Sequence, residues 1–528
     1  MDRRTFHICL AGIVLVTVLG APLDVMEVDA AQYASMSRDM LATDDWTHLH
    51  HRGRDYLDKP PLLFWISALS FKLLGVSNWS YKLPSILFAF LGILSVHRFT
   101  ALYAPVAVAR TASLMFGGCA AFLLMTNDVR CDTILTASVI TAIWLGMAWL
   151  EQRRWWQLIG AVLAVGAGML AKGPMGIMAP ALAIGGHVIV TRRWRALADA
   201  RLLLVPVLLA VLLLPMCIGL YEQHGMHGLR FYFWEQSFGR ITGENRWKDD
   251  SSLFFFTHEV IWQVLPWTVF VLLGTCREGM ALVRRVPLPE AASITGALLV
   301  FVALSFSRFK LPHYLYVAVP LFCVMGARAW HAEERRWPVV VHLFVPLLLW
   351  VAALVLVCWS FPEGAGPFAA LLGVMGIIAV MRLRRVGLHR TTFPITFWTI
   401  CAIGIALNGH IYPQLLSYQA NAVAGRWAAA QGFDKDHFFG LQQSGTALDF
   451  YFGGPVPWLS NVDEARPVVA AGVVIYTDAP HRRMLEEAGL VPQRVIGLKN
   501  YTVQLLGVEV LHPQLRKTVL EDRYLLIY

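Results

Sequence analysis

Two acids, Glu27 and Asp29, stand in EVDAAQYASMSRDML directly after an apolar run. Further short stretches set charge or histidine at the edges of apolar runs. DYLDKPPLLFW carries Tyr56, Asp58 and Lys59, NDVRCDTILT carries Arg130 and Asp132, and LAKGPMG carries Lys172. FWEQSFGR brings Glu235 and Arg240, RFKLPHYLY brings Lys310, His313 and Tyr314, and NGHIYPQ brings His410. Lysines and arginines such as Lys59, Arg130, Lys172 and Lys310 can hold a phosphate whose lipid tail lies in a membrane. A carboxylate can act as base toward an acceptor hydroxyl or stabilise an oxocarbenium-like centre. An acid near a histidine can hold a divalent metal that neutralises a leaving phosphate. Together these groups suit transfer of a group from a lipid phosphate.

Each residue also has a structural reading. Lys172 can snorkel to an interface. Arg130 and Asp132 can form a structural pair, and His313 and His410 can be satisfied interface histidines. Asp29 can cap a helix beginning at Ala30. The functional reading rests on the set, because charge at the end of a membrane span is costly unless it faces a protein cavity.

The elements that must position this set are membrane spans. Of 528 residues, 57% are hydrophobic and only 15% charged, well below the roughly 25% charge of soluble domains. Runs long enough to cross a bilayer give about thirteen spans between residues 6 and 410. The segment 61–76, PLLFWISALSFKLLGV, is short, opens on two prolines and holds Lys72. It reads as an interfacial or re-entrant helix. Parity supports that choice. With Arg3 and Arg4 inside and 61–76 left out, the inner loops hold 20 arginines and no lysine against seven acids. The outer loops hold bases and acids in near balance. This is a strong positive-inside bias, and it counts residues 1–25 as a span rather than a cleaved signal peptide. The net charge of +9 therefore reads as topology, and no nucleic-acid partner is expected.

The first outer loop, 24–82, then faces the same side as every charged stretch named above. The chain divides into a membrane domain, 1–414, and an outer tail, 415–528. The tail has short apolar runs, HFFGL, VVIYT and RVIGL, with a helical HRRMLEEAG between the last two. It reads as a small α/β domain. None of the eight cysteines lies in the tail and no CxxC pattern occurs, so no disulfide framework is expected there. Ion conduction fits poorly, since the charges cluster at one face and the span interiors lack them. Paired broken helices in matching halves, a transporter signature, are not evident in the sequence.

The order of these motifs resembles a known family. An acidic first outer loop is followed by YLDKPPLLFW, NWSYKLPSILFAFLGIL, RCDTILT and LAKGP. This is similar to the C-type polytopic glycosyltransferases related to protein mannosyltransferases, with the bacterial lipid A aminoarabinose transferases as the nearest branch. The resemblance implies transfer of a sugar from undecaprenyl phosphate to lipid A or a related envelope glycan, at the periplasmic face of the inner membrane. It leaves a protein acceptor, or transport of the lipid-linked sugar, as alternatives. It places the required acid at Asp29, beside Glu27, and a second at Asp132. It sets Lys59 and Lys172 near the donor phosphate; Arg130, Lys310 and Tyr314, on the same outer face, are expected as further donor contacts. It implies a metal, zinc by type, between Asp58 and His410. The charge bias sets the N-terminus on the cytoplasmic side, and a monomer is expected. The chain departs from the family pattern at Ala30, where relatives have Glu, and at Gln236, where a histidine is expected.

Overall fold

The computed structural model describes residues 2–236, 239 and 251–528. Its first part is helical: α1 (Arg3–Gly20), α2 (Asp29–Thr43), α3 (Leu62–Leu74), α4 (Asn78–Tyr103), α5 (Val106–Gly117), α6 (Ala120–Asn127), α7 (Cys131–Gln152), α8 (Trp155–Lys172), α9 (Met175–Thr191) and α10 (Leu204–Arg230). Among the described residues nine helices are long and apolar enough to cross a membrane, or ten if α5 and α6, bent by 51° at their break, form one span. Three of the about thirteen expected spans miss that measure. Met175–Thr191 and Ala292–Ser305 are shorter helices, and 258–275 is divided into Phe255–Gln263 and Thr268–Val283 with Pro266 at the break.

Helix α7 is the axis of the bundle. Its most apolar window is 94% buried, against 6% for Gly366–Val386 at the periphery. Helix α7 packs against α8, α4 and α9. The outer helices expose Leu347, Leu348, Val374 and Ile377, an apolar surface far too large for water but suited to lipid tails.

The 61–76 segment forms α3, about 20 Å long at ~1.5 Å per residue and too short for a ~30 Å hydrocarbon core. It starts after Pro60-Pro61, buries Leu63, Phe64, Ala68 and Phe71, and ends at Gly75, whose φ of +77° favours glycine. Helix α4 starts at a capping box in which Ser77 and Ser80 each satisfy the other's backbone N–H. That cap fixes two buried side chains in the next turn. Tyr81 donates its hydroxyl to the Ala30 carbonyl at 2.7 Å, and Lys82 donates to the Gly20 carbonyl at 3.0 Å. One helix start thereby anchors both the end of α1, where a cation suits the helix dipole, and the first turn of α2.

The tail holds a five-stranded sheet in the order β4-β3-β5-β7-β6. The strands are β3 (Phe438–Leu441), β4 (Trp458–Leu459), β5 (Val474–Asp478), β6 (Arg494–Asn500) and β7 (Glu521–Ile527), after a short hairpin, β1 (His50–His51) and β2 (Arg54–Asp55), in the first outer loop. β3 runs parallel to β4 and β5, and β7 is antiparallel to β5 and β6. Side chains alternate as a pleat requires. Val474 and Tyr476 pack toward Ala420, Ala424 and Ala428 of helix Ala420–Ala430, while Ile475 packs with Leu485 of helix Ala479–Glu487.

Candidate functional site

The first turn of α2 meets the start of α7. Asp29 is the first residue of α2, where a negative charge suits the helix dipole. Arg130 is the extended residue capping α7. Its Nη1 donates to Asp29 Oδ2 at 2.8 Å and its Nε to Asp128 Oδ2 at 2.6 Å. Arg130 is mostly buried while Asp29 is 41% exposed. One guanidinium therefore aims a carboxylate that remains open to a substrate. Burial lowers the pKa of Arg130, but Asp128 and Asp29 outweigh it and the net shift is upward.

In the first turn of α7, Asp132 accepts from Lys172 Nζ at 2.5 Å, and His313 Nε2 lies 3.8 Å from its other oxygen. The Lys172 ammonium sits 4.1 Å from the centre of the Tyr314 ring, within cation–π range. Lys172 ends α8 because Gly173 takes φ +69° and Pro174 opens α9. Gly176 completes the turn: a Cβ there would lie 2.2 Å from the Met169 nitrogen. LAKGPMG thus spells a hairpin too tight for other residues, and it fixes the lysine in place.

Lys59 approaches from the first outer loop. Its ammonium binds Asp58 at 2.5 Å. Burial pulls its pKa down, and the Asp58 carboxylate more than offsets this. Gln236, at the place where a histidine is expected, donates to the Asp58 carbonyl. Lys59, Arg130 and Lys172 all act electrostatically on His313. Asp29 and Asp58 both act on Tyr33 and Tyr56, whose buried hydroxyls are held well above their usual pKa, chiefly by desolvation. The structure therefore gathers Asp29, Asp58, Lys59, Arg130, Asp132, Lys172, His313 and Tyr314 into one polar cluster at the ends of α2, α7 and α8.

Three expected site residues bond to other parts of the chain. Glu27, two residues before Asp29, turns toward the tail domain. It accepts from Asn421 Nδ2 at 2.9 Å and from the Ala447 N–H at 3.2 Å, and burial raises its pKa. It ties the start of the first outer loop to the tail. Lys310 is buried and donates to the Ser251 carbonyl at 3.1 Å. His410 is also buried. Its Nε2 lies 2.8 Å from the Phe361 carbonyl, its Nδ1 accepts from Gln414 at 3.2 Å, and its ring stacks on Phe368. Both imidazole nitrogens are engaged, and Asp58 is paired with Lys59. That donor set does not fit a metal bridging Asp58 and His410. Glu235 pairs with Arg230 at 3.2 Å; Arg240 lies outside the described residues.

Sequence reasoning missed Asp128, Tyr33 and Lys82. Asp128 stands two residues before Arg130, and a lone lysine in the apolar stretch of α4 was the signal for Lys82.

Residues 58–218 match the family model for dolichyl-phosphate-mannose-protein mannosyltransferase, a segment containing Asp58, Lys59, Arg130, Asp132 and Lys172. Among curated relatives, the undecaprenyl phosphate-alpha-4-amino-4-deoxy-L-arabinose arabinosyl transferase of Edwardsiella ictaluri is 29% identical over 54% of this chain and 52% of its own length. That of Pseudomonas paraeruginosa is 27% identical over 58% and 55%. The chain spans about half the length of these relatives. In three dimensions the likeness is wider. ArnT from Cupriavidus metallidurans, solved bound to undecaprenyl phosphate, superposes with a TM-score of 0.72 at 20% identity, covering 92% of this chain and 95% of that one. The apo form gives 0.73. A shared fold and a matching segment that carries most of the polar cluster thus agree: this chain is a polytopic membrane protein, similar over residues 58–218 to the protein mannosyltransferase model and, in sequence and fold, to the aminoarabinose transferases.

Proposed function

We propose that this protein is a membrane glycosyltransferase that moves a sugar, aminoarabinose-like in type, from undecaprenyl phosphate to lipid A or a related envelope glycan. The observation that carries the reading is the convergence of two aimed carboxylates, Asp29 and Asp132, with Lys59, Arg130 and Lys172 at one end of the bundle. In this reading the site faces the periplasm of the inner membrane, the N-terminus is cytoplasmic, the tail domain is periplasmic and the enzyme works as a monomer. The arginine-rich inner loops support that orientation.

In the reaction, an acceptor oxygen forms a bond to the anomeric carbon. The bond from that carbon to the phosphate oxygen breaks, and its electron pair leaves with undecaprenyl phosphate. Lys59 and Lys172 neutralise the charge that develops on the leaving phosphate. Asp132 holds the Lys172 ammonium in position, and Tyr314 supports it from the ring face. Asp29, aimed by Arg130, faces the acceptor side. An acceptor phosphate is already an anion and a competent nucleophile, so Asp29 need not remove a proton. It orients the acceptor and stabilises positive charge at the anomeric carbon.

Purified protein given a defined undecaprenyl-phosphate sugar and lipid A should release one undecaprenyl phosphate for each modified acceptor. Movement of uncleaved donor across a vesicle membrane would instead make the protein a transporter. In the same assay Lys172→Ala should raise the donor KM by about 10–100-fold, the loss of one charge-assisted contact. Lys72→Ala should leave it unchanged, because the Lys72 ammonium lies over the Trp46 ring, away from the cluster. Equal effects would remove Lys172 from the donor site.

A further inference from the structure

The first outer loop holds a second group of ligand-type side chains that the transfer reaction does not use. Asp45, His48 and His50 lie in DDWTHLHH, in the stretch from the end of α2 to the first residue of β1. One ligand atom from each falls within 4.8 Å of the other two. Asp45 divides its oxygens between two tasks. Oδ1 accepts the backbone N–H groups of Thr47 and His48, both at 3.0 Å, and so closes a turn. Oδ2 is left facing His48 Nδ1 at 3.0 Å and His50 Nε2 at 3.8 Å. Tetrahedral bonds of ~2.0–2.1 Å to a metal put neighbouring ligand atoms about 3.3 Å apart, and the two separations bracket that figure.

The opposite ring nitrogens carry the stronger argument. His48 Nε2 meets Glu222 Oε2 at 3.1 Å, and His50 Nδ1 meets Asp55 Oδ1 at 3.2 Å. Each imidazole thus turns one nitrogen toward a shared point and rests the other on a carboxylate. Metal-binding histidines are oriented in this way, because the outer carboxylate fixes the tautomer and raises ligand basicity. The backbone between them is braced as well. Gln223 of α10 accepts from the Leu49 N–H at 3.0 Å and donates to the Leu49 carbonyl at 3.2 Å and to Asp55 at 2.9 Å. The loop sits so close on α10 that a Cβ on Gly219 would lie 2.4 Å from the Thr47 carbonyl oxygen.

We propose that Asp45 Oδ2, His48 Nδ1 and His50 Nε2 form a divalent metal site of the zinc type, with Glu222 and Asp55 as its outer carboxylates. Two imidazoles and one carboxylate suit a borderline-soft ion better than magnesium or calcium, which prefer oxygen ligands. Three protein ligands leave a fourth position, and the same residues line a cavity of about 460 Å³ shared with Asp39, Lys435 and the Gly453-Gly454 turn of the tail domain. A water or a substrate oxygen completes the shell from that side. The ion would clamp the loop to α10, about ten residues before Asp58 and Lys59. The site stands on its own geometry and does not depend on the transfer reading.

The test uses the full chain, purified without a histidine tag, stripped with a chelator and dialysed against zinc or cobalt. Elemental analysis should find one zinc per chain, and cobalt should give the intense visible bands of a tetrahedral ion. Asp45→Asn keeps Oδ1 for the turn and should abolish tight binding, as should His50→Ala. Glu222→Gln changes a half-exposed residue outside the proposed ligands, so the protein should fold normally and bind zinc about 10–100-fold more weakly. His437→Ala, an exposed histidine on the tail, should change nothing. A chain that takes up no zinc at micromolar concentration overturns the proposal. So does a bound equivalent that survives Asp45→Asn, His50→Ala and Glu222→Gln at full affinity, since the metal would then sit elsewhere.

Discussion

Asp29→Asn should cut turnover by about 10²–10⁴-fold, the range for losing an aligned acid, base or charge stabiliser, while the protein accumulates and folds as the wild type does. The substitution keeps shape and one oxygen acceptor and removes only the charge. Stability should barely change. Asp29 is 41% exposed, and half-exposed pairs contribute about 0–1 kcal/mol. Arg130 also keeps Asp128 as a partner, so no buried guanidinium is stranded. The loss should fall on kcat with donor KM nearly intact, because Asp29 faces the acceptor rather than the phosphate in this account. Normal turnover in a folded Asp29→Asn protein would sink the assignment.

Arg52→Ala should produce the largest loss of stability and should do so without touching the polar cluster. Arg52 belongs to the hairpin turn of the first outer loop, and it binds Asp449 of the tail domain through two parallel bonds of 2.5 and 2.9 Å. Asp449 is fully buried, and it also accepts the Val456 N–H at 3.0 Å. Removing the arginine leaves a buried carboxylate with a single backbone donor, which costs about 3–5 kcal/mol. The loss should appear as earlier thermal unfolding and faster proteolysis of residues 415–528, with the membrane helices protected. Arg52→Ala combined with Asp449→Asn should recover part of it, since the double variant no longer buries an unpaired charge. Additive losses would mean that the two residues do not act as a pair.

The polar cluster was legible in the sequence because lipid makes charge expensive. Arg130, Asp132 and Lys172 stand at span ends, where only a cavity or a partner tolerates them, and the structure supplies the pairing between α7 and α8. Glu27 was not separable from Asp29, because helix α2 begins between them. One residue of helix turns Asp29 toward Arg130 and leaves Glu27 on the other side, toward Asn421. The surroundings of His410 were hidden for a similar reason. A π-type turn at Leu407–Ile411, wider than an α-helical one, carries its ring to Phe361 and Phe368, and no spacing rule announces such a turn. Length and apolarity do not register breaks, such as the bend between α5 and α6 or the division at Pro266, so among the described residues nine or ten of the expected spans are single long apolar helices or one bent pair. In the tail, β3, β5 and β6 coincide with HFFGL, VVIYT and RVIGL, whereas β7 was missed because EDRYLLI begins with three charged residues.

Mass spectrometry of lipid A tests the central claim most directly. Cells lacking the gene would be complemented with the wild type or with Asp29→Asn, and their lipid A compared. The account predicts a mass increment of one sugar per modified phosphate with the wild type, and none with Asp29→Asn at equal expression. Lipid A of identical mass in all three strains would contradict lipid A as the acceptor, and an increment that persists with Asp29→Asn would contradict the site.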